Sequence, residues 1–274
     1  MGTKVNPTGF RLGQTRNWDS NWRTNNKLKF SKKFHLELQI KELISTTLNY
    51  RGILVGKIFV REVKSKSNLL VIKGTYYITP NFISGTKKGG VSSNFNTLDK
   101  NIHEFVQNEV KRNLSRFISK YGLNYDIELD LTNVLNLGYN HSLDVMKTSE
   151  QKLKGPLMKA SYVKDLYLIC HKMILLKDTT IFGNAVVPLL EKTTGHHIVA
   201  TNIEKICSIV FDQYKGINGL RVDLKGRIGG SARSRSKSFT LGSLSNQQID
   251  SDVSYSFHEA VTRYGVCSLK IWLC

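Results

Sequence analysis

The sequence lacks long apolar runs and closely spaced cysteines. No window reaches the roughly 18 apolar residues of a spanning helix, and the N-terminus has no signal-peptide core. The cysteines are Cys170, Cys207, Cys267 and Cys274. They form no Cys-x-x-Cys pair, which argues against a zinc ribbon or a disulfide framework and favours buried thiols in a reducing compartment. A long Arg- and Ser-rich leader is also missing, so we expect the protein to be made where it works.

Acidic residues are scarce relative to basic ones. The chain has 40 Lys and Arg against 21 Asp and Glu, a net charge of +19. A compact fold with this excess repels itself, and binding to a polyanion relieves the repulsion while releasing condensed counterions. No long basic amphipathic helix with an aromatic apolar face is present, so we expect a nucleic-acid partner and no membrane partner.

Arrangements typical of enzymes are also missing. His196 and His197 are adjacent, so their side chains diverge, and no further metal ligand stands at a suitable spacing. Asp126, Glu128 and Asp130 could in principle hold magnesium on one strand face, but their alternation with apolar residues is typical of a half-solvated strand. No Gly-x-Ser-x-Gly turn occurs. We therefore expect no catalytic residue, no metal site and no cofactor.

Hydrophobic periodicity predicts the elements of the first half. Polar loops are expected at residues 64–68 and 79–96, and Thr97 and Gly122 are expected to cap and end the second helix. The predicted elements are a helix over 34–48, strands over 57–63 and 69–78, a helix over 97–121 and a strand over 125–131. The order is α-β-β-α-β.

The second half begins with a polar segment, residues 133–160, which we interpret as a linker or insertion. Pro188 is expected to start, kink or break the helix in which it lies. The predicted elements are helices over 162–176, 182–192 and 203–214, then strands over 220–225, 249–256 and 266–273. The expected class is α+β, with a C-terminal α/β domain in which helices pack on an antiparallel sheet.

A glycine-rich turn and a basic run follow the first C-terminal strand. Gly226, Gly229 and Gly230 would let the backbone approach a partner closely. Arg233, Arg235 and Lys237 would share one side of an extended chain and form a row of cations for phosphates. A solvated, mobile loop is the alternative, since Ser- and Arg-rich runs are often disordered.

Three segments resemble one family. The opening Gly2-x-Lys-Val-Asn-Pro-x-Gly-x-Arg-Leu-Gly13, the turn Lys225-Gly-Arg-Ile-Gly-Gly230 and the closing Tyr264-Gly-Val with Lys270-Ile-Trp272 are similar to the third protein of the small ribosomal subunit, the universal S-three family. The similarity covers roughly the first 30 and the last 55 residues by motif, and the middle by element order.

The resemblance implies an organisation and a set of RNA contacts. It divides the chain into an RNA-contacting arm (1–33), a type II K-homology-like domain (34–132), a linker or insertion (133–160) and a C-terminal domain (161–274). Arms rich in Lys, Arg, Gly and Pro can enter RNA crevices without a core of their own. The expected RNA-binding residues outside the loop discussed next are Lys4, Arg11, Arg16, Trp18, Trp22, Gly226, Arg227, Gly229, Gly230, Arg233, Arg235 and Lys237.

Two departures limit what the resemblance implies. The loop Gly85-Thr-Lys-Lys-Gly-Gly90 stands where K-homology domains have the Gly-x-x-Gly loop that clamps RNA. Two interpretations of this loop stay open: phosphate contact by Lys87 and Lys88, or a flexible insertion. The counterpart of the basic helix that helps unwind messenger RNA in bacterial relatives has only Lys205 and Lys215 over and beside residues 203–214. The domain is therefore expected to be degenerate, without a direct part in unwinding.

The expected function is that of a structural, non-enzymatic constituent of the small ribosomal subunit. The expected partners are ribosomal RNA in the head, neighbouring head proteins and messenger RNA near its entry site. A freestanding RNA-binding regulator is the alternative. The amino-acid composition, rich in Asn, Lys and Ile, predicts an organelle-encoded protein of the mitochondrial ribosome, with chloroplast or bacterial origins left open.

Overall fold

The chain folds into two units that are described separately. The structure, a computed structural model, describes residues 5–20, 22, 24, 26–63, 69–78, 95–121, 125–134, 162–214 and 216–274. Of these, residues 19–134 belong to one unit, and residues 5–18 and 162–274 belong to the other. The predicted arm is therefore divided: residues 5–18 belong with the C-terminal part of the chain, and a helix already begins at Lys27.

The first unit contains helices and a three-stranded sheet in the predicted α-β-β-α-β order. Its elements are α2 (Lys27–Tyr50), β1 (Ile53–Val63), β2 (Leu69–Ile78), α3 (Phe95–Lys120) and β3 (Asp126–Asn133). The sheet order is β1-β2-β3, with β1 and β2 antiparallel and β2 and β3 parallel. The expected Thr97 cap is wrong because α3 begins at Phe95, and Gly122 lies outside the described residues.

Helix α2 begins where Asn26 accepts a hydrogen bond from the Leu28 amide at 2.9 Å, a side-chain N-cap. Its buried apolar side chains recur every four residues, which places them on one stripe facing the sheet. They are Leu36, Ile40, Ile44 and Leu48. These side chains share one core with buried residues of β1, β2 and α3. Packing against this core therefore stabilises α2 as a helix, although many of its residues are polar.

The second unit places helices against a four-stranded antiparallel sheet. Its elements are α1 (Pro7–Phe10), α4 (Tyr162–Leu176), α5 (Thr179–Lys192), α6 (His196–Phe211), β4 (Gly219–Gly226), a short 3-10 helix (Ile228–Gly230), β5 (Arg235–Gly242), β6 (Ser254–Thr262) and β7 (Gly265–Leu273). The sheet order is β5-β4-β7-β6. The α+β class and the antiparallel C-terminal sheet are confirmed.

Helix α6, the effect of Pro188 and the strand before β7 differ from the prediction. Helix α6 begins seven residues early because His196, polar by type, is buried against α5 and the glycine turn. Pro188 lies inside α5 without ending it. The strand expected over 249–256 runs instead over Ser254–Thr262, and Ile249 is exposed.

The two faces of the C-terminal sheet differ in their cover. Leu220, Val222 and Leu224 of β4 are buried on the helix side. Arg221, Asp223 and Lys225 alternate with them and therefore lie on the other side, which we call the open face. The described helices are not long and apolar enough to cross a membrane.

Candidate nucleic-acid interface

Strand β5 lies at one edge of the C-terminal sheet and carries cations. Arg235 and Lys237 of β5 lie opposite Gly226 and Leu224 of the neighbouring strand β4, so both side chains lie on the helix side of the sheet. Arg233 precedes the strand. We use the term basic edge for Arg227, Arg233, Arg235 and Lys237.

The cations of the basic edge differ in their contacts. Arg227 donates from Nε to the Ser231 carbonyl at 3.0 Å, and Lys237 Nζ donates to Thr201 Oγ1 of α6 at 2.8 Å. Arg233 and Arg235 are exposed, and neither forms an ion pair within the described residues. These two guanidinium groups are therefore available to an anionic partner, while the other two cations also order the protein.

The glycines of the turn permit close approach within the protein. Gly226 has φ +151°, and a Cβ there would lie 2.7 Å from Cys267 Sγ and 2.9 Å from Cys267 Cα. Gly230 has φ +77°, and its Cβ would lie 3.1 Å from the Tyr264 ring. Gly229, between them, donates its amide to His196 Nδ1 at 3.2 Å. These positions hold the turn against β7 and α6, so the glycines are explained without an RNA partner.

The structure corrects the expected role of Arg11. Its side chain is fully buried, and its guanidinium donates to backbone carbonyls rather than facing solvent. The acceptors are the carbonyls of Pro7, Ser245, Asn246, Gln248 and Ser251, together with Ser251 Oγ. The shortest of these bonds, to Gln248, is 2.7 Å. Because these donors are used inside the protein, Arg11 is not placed to neutralise a phosphate.

Arg16 has a similar role nearby. Its Nη2 lies 2.8 Å from Asp252 Oδ1, and the Arg16 side chain is about three-quarters buried. Arg11 and Arg16 together fasten the N-terminal segment to the loop that precedes β6. The opening motif is thus a structural clasp on the C-terminal unit.

The two N-terminal tryptophans separate in role. Trp18 is 64% exposed and remains available for stacking. Trp22 is half-buried, and its Nε1 donates to the buried Glu37 carboxylate, which also accepts from Ser20 Oγ at 2.6 Å. Lys33 Nζ lies 5.3 Å from the Trp22 ring centroid. Trp22 therefore packs within the first unit rather than presenting its ring to a ligand.

Several predicted residues lie outside the described residues. They are Lys4 of the opening segment and Lys87 and Lys88 of the glycine-containing loop. Their contacts with RNA stay predictions.

One histidine of the adjacent pair, His196, has its ring held inside the fold. His196 Nε2 lies 3.0 Å from the Leu190 carbonyl while Nδ1 accepts from the Gly229 amide, so both ring nitrogens are engaged in the fold. Within the part of the chain that the structure describes, no three His, Cys, Asp or Glu side chains are grouped to hold a metal ion.

The open face carries further aromatic and basic side chains beside Lys270 and Trp272 of the closing motif. The Arg221 guanidinium donates to both carboxylate oxygens of Asp223, at 2.8 and 3.0 Å, and lies 5.4 Å from the Trp272 ring centroid. Tyr255 and Trp272 are tilted with centroids 5.3 Å apart, and Lys270 Nζ lies 5.7 Å from the Phe257 centroid. The alternation of polar with apolar residues in β4 and β7 was the available signal.

Electrostatics on this face agree with its geometry. Burial, and next the negative charge of Asp223, raise the pKa of Tyr255, so its hydroxyl keeps its proton. The open face therefore combines a neutral phenol, indole and phenyl rings, one paired guanidinium and further cations.

Comparison with known proteins finds similarity to ribosomal protein S3. The family model described as ribosomal protein S3, C-terminal domain, matches residues 199–273. The chain is 25% identical to small ribosomal subunit protein uS3 of Geotalea daltonii, over 99% of this chain and 95% of the relative. It is 23% identical to uS3 of Myxococcus xanthus over 100% of this chain and 92% of that relative, and 23% identical to uS3 of Pelagibacter ubique over 100% and 89%.

Residues 199–273 thus match the ribosomal protein S3 C-terminal domain, and nearly the full chain is similar to uS3 proteins. The region matched by the family model contains the basic edge, the glycine turn and all four strands of the C-terminal sheet. The similarity to the S3 relatives also extends over the first unit and the N-terminal clasp.

Proposed function

We propose that this S3 protein is a structural constituent of the small ribosomal subunit that binds ribosomal RNA. The exposed guanidinium groups of Arg233 and Arg235 carry the proposal, because they lie at a sheet edge within the region that the family model matches. The net charge of +19 adds long-range attraction to a polyanion. Relatives similar over nearly the full chain bear the name small ribosomal subunit protein uS3.

We place this protein in the head of the subunit, near the entry of messenger RNA, with neighbouring head proteins as partners. The resemblance stated above supports this placement. The described helix α6 has Lys205 as its one Lys or Arg, so the proposal includes no unwinding of messenger RNA by that helix. The role is binding, and no reaction is assigned to it.

The first unit is proposed to be a degenerate type II K-homology domain. Its element order α2-β1-β2-α3-β3 and its mixed three-stranded sheet agree with this assignment. The loop that would show whether single-stranded RNA is clamped, residues 85–90, lies outside the described residues. The mitochondrial ribosome is the proposed location, supported by an amino-acid composition rich in Asn, Lys and Ile, while the relatives named above are bacterial.

Sedimentation of a native extract tests the proposal against the alternative of a freestanding regulator. After ribosomes are separated into subunits at low magnesium, the chain is expected wholly in the small-subunit fractions. Nuclease treatment of the same extract serves as the control, since it should release the chain to the top of the gradient. A substantial free pool before nuclease treatment would favour the regulator and contradict the proposal.

A further inference from the structure

A cavity lies on the open face of the C-terminal sheet, beneath the N-terminal segment. Its volume is ≈ 590 Å³, within the range of about 300–1,000 Å³ typical of small-molecule sites. One wall comes from the start of the described chain, including Pro7 and Phe10, and the floor comes from β4, β6 and β7. The Arg11 clasp fixes this wall against the loop before β6.

Aromatic rings line the floor and wall of the cavity. Trp272 and Tyr255 lie side by side on the sheet, and Phe10 comes from the opposite wall with 43% of its surface exposed. Trp272 is only 6% exposed, so the aromatic surface open to the cavity comes mainly from Phe10 and the partly exposed Tyr255. Such surfaces suit a planar ring, and stacking on them does not depend on the identity of a base.

The charges of the cavity favour an anion. Arg221 is paired with Asp223, which leaves Lys225 and Lys270 as the unmatched cations in the lining. Neither ammonium group forms a salt bridge within the described residues. One cavity therefore combines faces for a planar ring with two point charges suited to phosphate oxygens.

Carboxamides add hydrogen-bonding capacity at the rim. Asn246 and Gln247 line the cavity from the loop before β6, and each side chain offers both a donor and an acceptor. Such groups can pair with the edge of a nucleobase that has left its stack.

We propose that this cavity binds one unstacked nucleotide of single-stranded RNA, with its base against Phe10 and Tyr255 and its phosphate between Lys225 and Lys270. The inference rests on the proposed function and adds to it a site distinct from the basic edge. An apolar peptide would leave both ammonium groups unmatched, and a free phosphate would leave the aromatic faces unused.

Titration of the purified full-length chain with a fluorescent single-stranded RNA pentamer tests the site. Lys225→Gln and Lys270→Gln should each weaken binding and reduce the salt slope of log K by about 0.7, the value for one lost phosphate contact to a single strand. Phe10→Leu keeps an apolar side chain but removes the ring, and should weaken binding about tenfold.

Lys192→Gln is the matched control because Lys192 is exposed at the end of α5, which packs on the helix side of the sheet. It removes the same charge and should leave pentamer affinity close to that of the parent. Thermal unfolding should show that all four variants are folded. Equal weakening by Lys192→Gln would show that net charge alone is sensed, which would overturn the site.

Competition identifies the occupant. Adenosine 5′-monophosphate should displace the pentamer far better than inorganic phosphate does. Equal displacement by phosphate would reduce the cavity to an anion site, and displacement only by an acidic peptide would assign it to a protein partner. Either result overturns the inference.

Crosslinking in isolated small subunits separates this inference from the proposed function. Zero-length photocrosslinks to RNA are expected at Phe10, Tyr255 or Trp272. If the chain sediments with small subunits but the crosslinks avoid these three residues, the cavity site is wrong and the ribosomal role stands. If the chain does not sediment with small subunits, the proposed function itself fails.

Discussion

Arg11 determines how the N-terminal segment is held. Its guanidinium satisfies a group of carbonyls more than two hundred residues away in sequence, at Ser245, Gln248 and Ser251. A buried cation of this kind is tolerated because its donors all meet oxygen acceptors. Ser251 Oγ donates to the carbonyls of Ser245 and Gln248 as well, each at 2.9 Å, so two side chains satisfy the backbone of the loop before β6.

Replacing Arg11 should therefore destabilise the second unit. Arg11→Ala is expected to lower the free energy of unfolding by about 3 kcal/mol, because it removes a fully buried side chain together with its hydrogen bonds to five backbone carbonyls. Arg11→Lys should recover only part of this loss, since an ammonium group cannot reproduce the planar set of N–H donors of a guanidinium. Chemical denaturation measures both, with the exposed Arg233→Lys as control. Wild-type stability in Arg11→Ala would contradict the clasp.

Sequence patterns could not predict these residue roles. Arg11 sits in a Lys-, Arg- and Gly-rich stretch typical of RNA-binding arms, and nothing near it marks the loop at 245–251 as its partner. Trp22 could be predicted to stack or to pack, and the pattern does not decide between the two because its acceptor Glu37 has the type and spacing of an ordinary charged helix residue. Burial of both depends on tertiary contacts with distant or polar groups.

At the scale of elements, the contact of α5 with β6 depends on a histidine. The His258 ring occupies the space where a side chain at Gly183 would begin, so the helix approaches the strand closely there. Burial lowers the pKa of His258, and the nearby Asp178 carboxylate opposes this shift in part. The neutral ring is thus the form that the folded contact accepts.

The contact should weaken in acid. Because the folded pKa of His258 lies below its unfolded value of about 6.5, the unfolded state binds the extra proton first as pH falls. The stabilisation is present above about pH 6.5 and is lost as pH falls towards the folded pKa. Denaturant unfolding between pH 8 and pH 5 should show a shallower loss of stability in His258→Gln than in the parent.

His197→Gln provides the control for this measurement, because His197 is exposed on α6. Its profile should follow that of the parent. An unchanged slope in His258→Gln would show that the ring titrates normally in the folded protein.

Strand β5 is the element on which RNA binding is proposed to depend. Replacing Arg233, Arg235 and Lys237 together with Gln should weaken association with the small subunit most strongly at low salt and make association less dependent on salt, because counterion release is lost with each phosphate contact. Competition between tagged variant and parent during subunit assembly at several salt concentrations measures this. A triple variant that binds like the parent at every salt concentration would reject the basic edge.

Prediction of the elements succeeded where apolar residues kept one period. Helix α4 begins and ends where its apolar spacing predicts, at Tyr162 and Leu176. Strand β5 was foreseen only as extended chain, since its polar residues Ser236, Ser238 and Thr240 give no apolar alternation on their side. Pairing with β4 makes this segment a strand, although its sequence has no strand pattern of its own.

At the scale of the whole molecule, net charge and similarity to uS3 proteins point to the same class of partner. The chain has 40 basic and 21 acidic residues and is similar along its length to uS3 proteins. Its excess of positive charge is suited to contact with RNA, a polyanion. Composition predicted the class of partner, and the terminal motifs predicted the family. The structure adds that the N-terminal motif is attached to the C-terminal unit.

The most direct measurement is RNA–protein crosslinking with mass spectrometry on intact small subunits. The account predicts crosslinks between small-subunit ribosomal RNA and the exposed basic residues Arg233 and Arg235. It also predicts none at the buried Arg11. Crosslinks from elsewhere in the chain, with none from residues 227–237, would contradict it.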